Sequence, residues 1–164
     1  MNNNLVNLDD VLLHIEKNNL ANNNTLLLNN CIFNFNLNIE YLYLHLEQKC
    51  TNIERIKFSN STFTSPVHYQ SNEATFSLSF EKICFESDII IENIHFKKDI
   101  NFIDSLFKGK TTFTFLSFDN YFRLFGSIFS NDVNFAHSEL NDKTFFLHTP
   151  KIEFNLKEMS TLQK

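Results

Sequence analysis

Large apolar residues recur along most of this chain at alternating steps of five and six. From position 58 the series runs Phe58, Phe63, Tyr69, Ala74, Phe80, Phe85, Ile91, Phe96, Phe102, Phe107, Phe113, Phe118, Leu124, Phe129, Phe135, Leu140, Phe146. The two steps add to eleven, so residues 50–148 divide into nine rows of eleven. A fixed internal period constrains a chain more than any other pattern, because it means stacked like units, each touching only its neighbours.

A Phe-rich composition does not by itself produce this beat. Residues 50–148 hold 17 Phe, and the beat occupies columns 3 and 9 of each row, 18 positions in all. A random scatter would put about three of the Phe there, and twelve are found. The residue two before each beat is selective as well: Ile56, Ser61, Val67, Leu78, Ile83, Ile89, Ile94, Ile100 and Ser105 are typical, and Asn72 is the exception. Two inward positions spaced by two are the pleat of a short strand. The positions between them are mostly Asn, Ser, Thr, Asp, Glu and Lys and are expected to face out.

The length fits one domain. Residues 1–7 are Asn-rich and read as loose. Leu8–Leu20 carries apolar residues at 8, 12, 15 and 20 with Asp9 and Asp10 at its start, which predicts a short amphipathic helix with acid at its positive end. Residues 31–47 alternate with period two and read as strand. Residues 1–49 are thus expected to form an N-terminal cap, 50–148 the repeat, and 149–164 a C-terminal cap. In that last segment Ile152, Phe154 and Leu156 alternate, as one last strand or as a lid. Caps are expected on physical grounds, since a stacked coil exposes backbone edges at both ends.

The unit S-x-F-x-x, seen in 94–102 (IHFKKDINF), 105–113 (SLFKGKTTF) and 127–135 (SIFSNDVNF), resembles the pentapeptide-repeat family, in particular its Phe-rich branch with alternating five- and six-residue steps. The resemblance covers about 99 of the 164 residues. It implies an all-β fold, a right-handed quadrilateral parallel β-helix with four short faces per coil. The sequence departs from the common pattern in having two Gly, Gly109 and Gly126, and in often placing Ile or Val two before the beat. Corners must then be turned by Asn, Asp and Ser. Four faces per coil close a turn every 22 residues, so Phe63, Phe85, Phe107 and Phe129 should lie one above another, as should Phe58, Phe80, Phe102, Leu124 and Phe146.

Motifs for catalysis are missing from the sequence. It has no Gly-rich phosphate loop, no HExxH and no GxSxG. The six His share no column at a spacing of 22 and read as solvated. The three Cys form no CxxC pair, so no zinc site is expected; Cys50 reads as inward filler and Cys84 as an outward thiol. No cofactor, no metal and no enzymatic activity are expected. Reduced thiols and the absence of a basic, apolar start predict a cytoplasmic protein. Apolar runs such as 26–28 and 89–91 are far short of a membrane span. The net charge of −5 opposes direct nucleic-acid binding.

One outward set departs from the polar norm. On one side of the coils, columns 10 and 2 read Glu81, Cys84, Ile103, Leu106, Phe125, Ile128 and Leu147; on the opposite side they read Gln70, Glu73, Glu92, His95, Thr114, Ser117, Ala136 and Glu139. The first set turns apolar from row 94–104 onward. Ile103, Leu106, Phe125, Ile128 and Leu147 should form a patch of the kind that marks contacts. It would be covered by the tail, by a second copy of the chain, or by another protein. The functional expectation is a non-catalytic structural or interaction module. The alternative comes from the resemblance: some pentapeptide-repeat proteins imitate DNA, bind topoisomerases such as gyrase and protect them from quinolones. Charge bears on this. B-DNA carries one negative charge per ~1.7 Å of axis, so a ~22 Å rod would need about 13 net negatives to match it. Residues 50–148 hold 12 acidic and 9 basic side chains.

Overall fold

A computed structural model describes residues 3–18, 21–22, 24–49 and 52–147. The chain winds into a parallel β-solenoid with two short helices, α1 (Leu8–Asn18) and α2 (Ile39–Lys49). The register is the one the rhythm predicts. Leu78 pairs with Ile56 below it and Ile100 above it, and Phe80 with Phe58 and Phe102, each 22 residues apart.

Each coil has four faces. The first carries Ser77–Glu81 and Ile100–Ile103, and the second Cys84–Phe85 and Leu106–Phe107. The third and fourth share one strand, Ile89–Phe96 in one coil and Thr111–Phe118 in the next. These eight-residue strands bend in the middle, at Asn93 and Phe115, both with positive φ. Positive φ also marks the corner between the first two faces, at Asn60, Lys82, Asp104 and Gly126. All these corner residues fall in column 11 of the eleven-residue rows.

Inside the coils, the aromatic files stack. Phe63–Phe85, Phe85–Phe107 and Phe107–Phe129 have ring centroids 5.3, 4.8 and 4.3 Å apart with near-parallel planes. Phe58, Phe80 and Phe102 stack at 5.1 and 5.0 Å. Burial of each ring contributes roughly 1.5–3 kcal/mol, and each stacked pair adds ~0.5–1.5 kcal/mol. Side-chain volume is balanced between coils: Ile100 and Phe102 lie beneath Phe122 and Leu124, where the large and medium residues change places.

The rest of the chain departs from the expected cap in two ways. First, the solenoid starts before residue 50. Thr25–Asn29, Cys31–Phe33 and Leu37–Asn38 already form three faces, paired with Arg55–Ser59, Thr62–Phe63 and Val67–Gln70. Their spacing is 30 residues, as in Leu28↔Phe58, so this coil holds eight more than its successors. Second, the strand expected over 31–47 ends at Asn38, and Ile39–Lys49 is the helix α2. Leu42, Leu44 and Leu46 satisfy period two, but Ile39, Leu42 and Leu46 also line one helical face, and those three are buried. Asn38 settles the choice by capping: its Oδ1 accepts the Tyr41 N–H at 3.2 Å, and Glu40 sits in the first turn. The ring of Tyr43 stacks on Phe76 at 4.3 Å and anchors α2 to the coil.

The N-terminal helix forms as expected over its described part. Asn7 Oδ1 accepts the Asp10 N–H at 2.8 Å, Asp10 Oδ2 accepts the Val6 N–H, and Val11 and Ile15 are buried. Asn3–Leu5 adds a parallel strand to Cys31–Phe33, and Ala21–Asn22 pairs antiparallel with Thr25–Leu26. These segments cover the N-terminal sheet edges. Residues 149–164 lie outside the described residues, as do Cys50 and the expected helix end at 19–20.

Candidate functional site

The outward apolar files form as the register requires. Glu81, Ile103, Phe125 and Leu147 pair in one line on the first face. Cys84, Leu106 and Ile128 pair in a second line on the second face. The two lines flank the corner residues Lys82, Asp104 and Gly126. Gly126 has φ +61°, and a Cβ there would lie 2.4 Å from Asp104 Oδ1, so the corner is tightly closed between the files.

Ile103, Leu106 and Phe125 are half-buried, because each covers its neighbours along the axis. Exposure rises at the C-terminal end, where Ile128 is 48% and Leu147 53% exposed. Two rings missing from the sequence-based set extend the patch across the first face. Tyr121 and Phe145 are exposed and lie 5.6 Å apart, and the Arg123 guanidinium sits 4.2 Å from the Tyr121 centroid while pairing with Asp99 at 2.7 Å. The sequence signal for Phe145 was its column, which otherwise holds Lys57, Ser79, Asn101 and Arg123.

The strand lines of the opposite side are polar. Gln70, Glu92 and Thr114 form one line, and Glu73, His95 and Ser117 another. His68 approaches Glu92 at 3.5 Å and His95 approaches Asp119 at 3.2 Å. One apolar ring interrupts this side: Phe115, 54% exposed, turns its corner with φ 55° and stacks on His137 at 4.6 Å. A bulky residue in the left-handed region is unusual. Its off-beat column concealed it in the sequence.

Three acids of the rod are tied to lysines one coil away: Lys57 with Glu81 at 2.6 Å, Lys97 with Glu73 at 2.8 Å, and Lys108 with Glu86 at 3.4 Å. The hydrogen bond to Glu86 raises the Lys108 pKa. Asp88 and Lys110, one coil apart, are joined through backbone, since Lys110 N–H donates to Asp88 Oδ1 at 2.8 Å.

Other reactive groups sit in the scaffold. Cys31 is buried with its Sγ 3.9 Å from His14 Nε2, and burial pushes its thiol up to about 11. Cys84 is free and partly exposed. Burial also raises the Tyr69 phenol, whose hydroxyl makes no hydrogen bond within the described structure. Among the described residues, no group of three His, Cys, Asp or Glu could hold a metal ion, and no helix is long and apolar enough to cross a membrane.

A comparison with protein-family models gives no match, and comparisons with curated proteins and with solved structures give none either.

Proposed function

We propose that this chain is a non-catalytic repeat solenoid of the pentapeptide type that acts as an interaction module, and that it meets another protein or a second copy of itself through the C-terminal flank. The observation that carries this reading is the contiguous apolar line Ile103–Phe125–Leu147 beside Leu106–Ile128, on a rod whose other flank carries polar strand lines and the single exposed ring of Phe115. Such patches mark contacts, and a rigid array of short strands offers a surface without loops to order on binding. Free Cys31 and Cys84 accord with a reducing compartment such as the cytoplasm.

The test is the double variant Phe125→Ser, Ile128→Ser, examined by light scattering and by capture of partners from the source cell. The expected result is a folded protein with unchanged far-UV signal that has lost its self-association or its captured partner. Unaltered association in both assays rejects the flank as the contact.

Imitation of DNA is the second reading, and it has weaker support. Residues 50–148 set 9 basic against 12 acidic side chains, and Glu73, Glu81, Glu86 and Asp99 are paired with bases, which departs from the uniform negative field that such imitation needs. A gyrase supercoiling assay with and without a quinolone decides it, since imitation requires either inhibition or protection.

A further inference from the structure

Phe115 works against the fold twice over. It turns the corner between the third and fourth faces at φ 55°, a region unfavourable to a bulky side chain. Its ring is also 54% exposed, so it contributes little to the bore. The same corner one coil below holds Asn93, which meets the same backbone demand at lower cost. Neither packing nor backbone preference therefore accounts for phenylalanine here. Strained residues of this kind cluster at binding sites.

The surroundings of the ring say what would meet it. His137, one coil above, stacks on one face with ring planes 17° apart. Thr114 pairs with Glu92 and Leu116 with Ile94, so the other ring face looks toward the corner of Asn93, a short and exposed side chain. Glu92 and His95 stand on either side of that opening, as the register partners of Thr114 and Ser117. The two strand lines that flank the corner hold Glu73, Glu92 and Glu139 and neither lysine nor arginine. Glu73 is engaged by Lys97 at 2.8 Å, whereas Glu92 meets the imidazole of His68 at 3.5 Å, which cancels no charge while that ring is neutral. An open aromatic face bordered by carboxylates is complementary to a cation that is itself flat.

We propose that the Phe115 corner is a second contact site, a receptor for an arginine side chain on a basic segment of a partner protein. The guanidinium stacks on the open face of Phe115, where the ring quadrupole attracts a cation. Its N–H groups donate to the Glu92 carboxylate, and the charge makes those bonds stronger than neutral ones. Arginine suits this place better than lysine, because a guanidinium is planar, weakly hydrated and able to stack and pair at once. The site lies on the flank opposite Phe125 and Ile128 and does not depend on the contact proposed there.

The test is titration of the full-length chain with a labelled hexa-arginine peptide, read by fluorescence anisotropy and by amide chemical shifts, with hexalysine for comparison. The expected result is saturable binding that moves the amides of residues 114–116 and of His137, and that is tighter for hexa-arginine. Phe115→Asn should raise the melting temperature and yet weaken hexa-arginine binding at least about threefold. Glu92→Gln should weaken it by a similar factor, and Phe125→Ser, Ile128→Ser should leave it unchanged. Equal affinity for the two peptides, or binding that survives Phe115→Asn undiminished, overturns the proposal, because net charge alone then explains the attraction. A Phe115→Asn protein that melts lower than the parent overturns it too, since the ring would then serve the fold. Loss of hexa-arginine binding in the Phe125→Ser, Ile128→Ser variant would move the site to the C-terminal flank and sink this one.

Discussion

Ile83 donates its backbone N–H to the hydroxyl of Ser105, 3.2 Å away and one coil further along the rod. The relation repeats. Ser105 N–H donates to Ser127 Oγ at 3.4 Å, Cys31 N–H to Ser61 Oγ at 3.0 Å, and Leu116 N–H to Ser138 Oγ at 3.0 Å. Each serine also donates, as Ser127 does to the Phe102 carbonyl at 3.2 Å. These buried hydroxyls satisfy backbone groups at corners where the strand ladder is interrupted, which explains why Ser alternates with Ile in an otherwise apolar column.

Ser105→Ala should therefore cost about 1–3 kcal/mol, because the Ile83 N–H is left buried without a partner. Ser127→Ala should cost about the same through Ser105. Urea unfolding measures both, and the exposed Ser130→Ala serves as the control, expected within about 0.5 kcal/mol of the parent.

Corner substitutions should split by residue type. Lys82 and Phe115 adopt φ of 55° with side chains that disfavour it, so Lys82→Asn and Phe115→Asn should each stabilise the fold by about 0.5–1 kcal/mol. Gly109→Ala should be among the most damaging changes, because the new Cβ would lie 2.3 Å from the Ser87 carbonyl carbon, which is backbone and cannot rotate away. Thermal melts of the three variants rank them directly.

Within the bore, Phe107→Ala removes a ring stacked on both Phe85 and Phe129 and should cost about 3–5 kcal/mol. Phe107→Leu, which keeps most of the volume, should cost less than about 1.5 kcal/mol. A double-mutant cycle with Phe85→Leu should show coupling of at least about 0.5 kcal/mol, while one with Phe58→Leu, two coils away, should be additive.

Cys31 sets an alkaline limit. Burial raises its thiol from 9.0 to about 11 in the folded chain, so the folded state keeps a proton that the unfolded state has lost. The sign follows from linkage: the contribution is whole below pH 9.0 and is lost as pH rises through about 11. Cys31→Ala should flatten stability over that window. At pH 8 a thiol reagent should modify Cys84 and spare Cys31 until the chain unfolds.

The sequence made the bore legible and the corners obscure, for a physical reason. Phe85 and Phe107 announce themselves because an inward position accepts few residue types, so its column is nearly uniform. The corner column runs Asn60, Lys82, Asp104, Gly126 and, on the other side, Asn93, Phe115, His137; these share a backbone angle rather than a chemistry. Helix α2 was hidden because six apolar residues among 39–46 satisfy two periods at once. Its Asn38 cap was the available clue. Phe76 lies off the beat and is buried because Tyr43 comes down on it, a contact that no local pattern encodes. The outward files followed directly from the register, but Tyr121 and Phe145 joined the patch only once the first face was assembled.

The longer opening coil also says where this architecture yields. Leu28, Phe33 and Leu37 align with Phe58, Phe63 and Val67 without slippage, although α2 is interposed before the chain returns. A detour launched from the fourth face is therefore mechanically silent to the other three. That side of the rod is a natural port for grafted sequence, and a loop spliced there would be carried outward on a stiff support while the stack beneath kept its step.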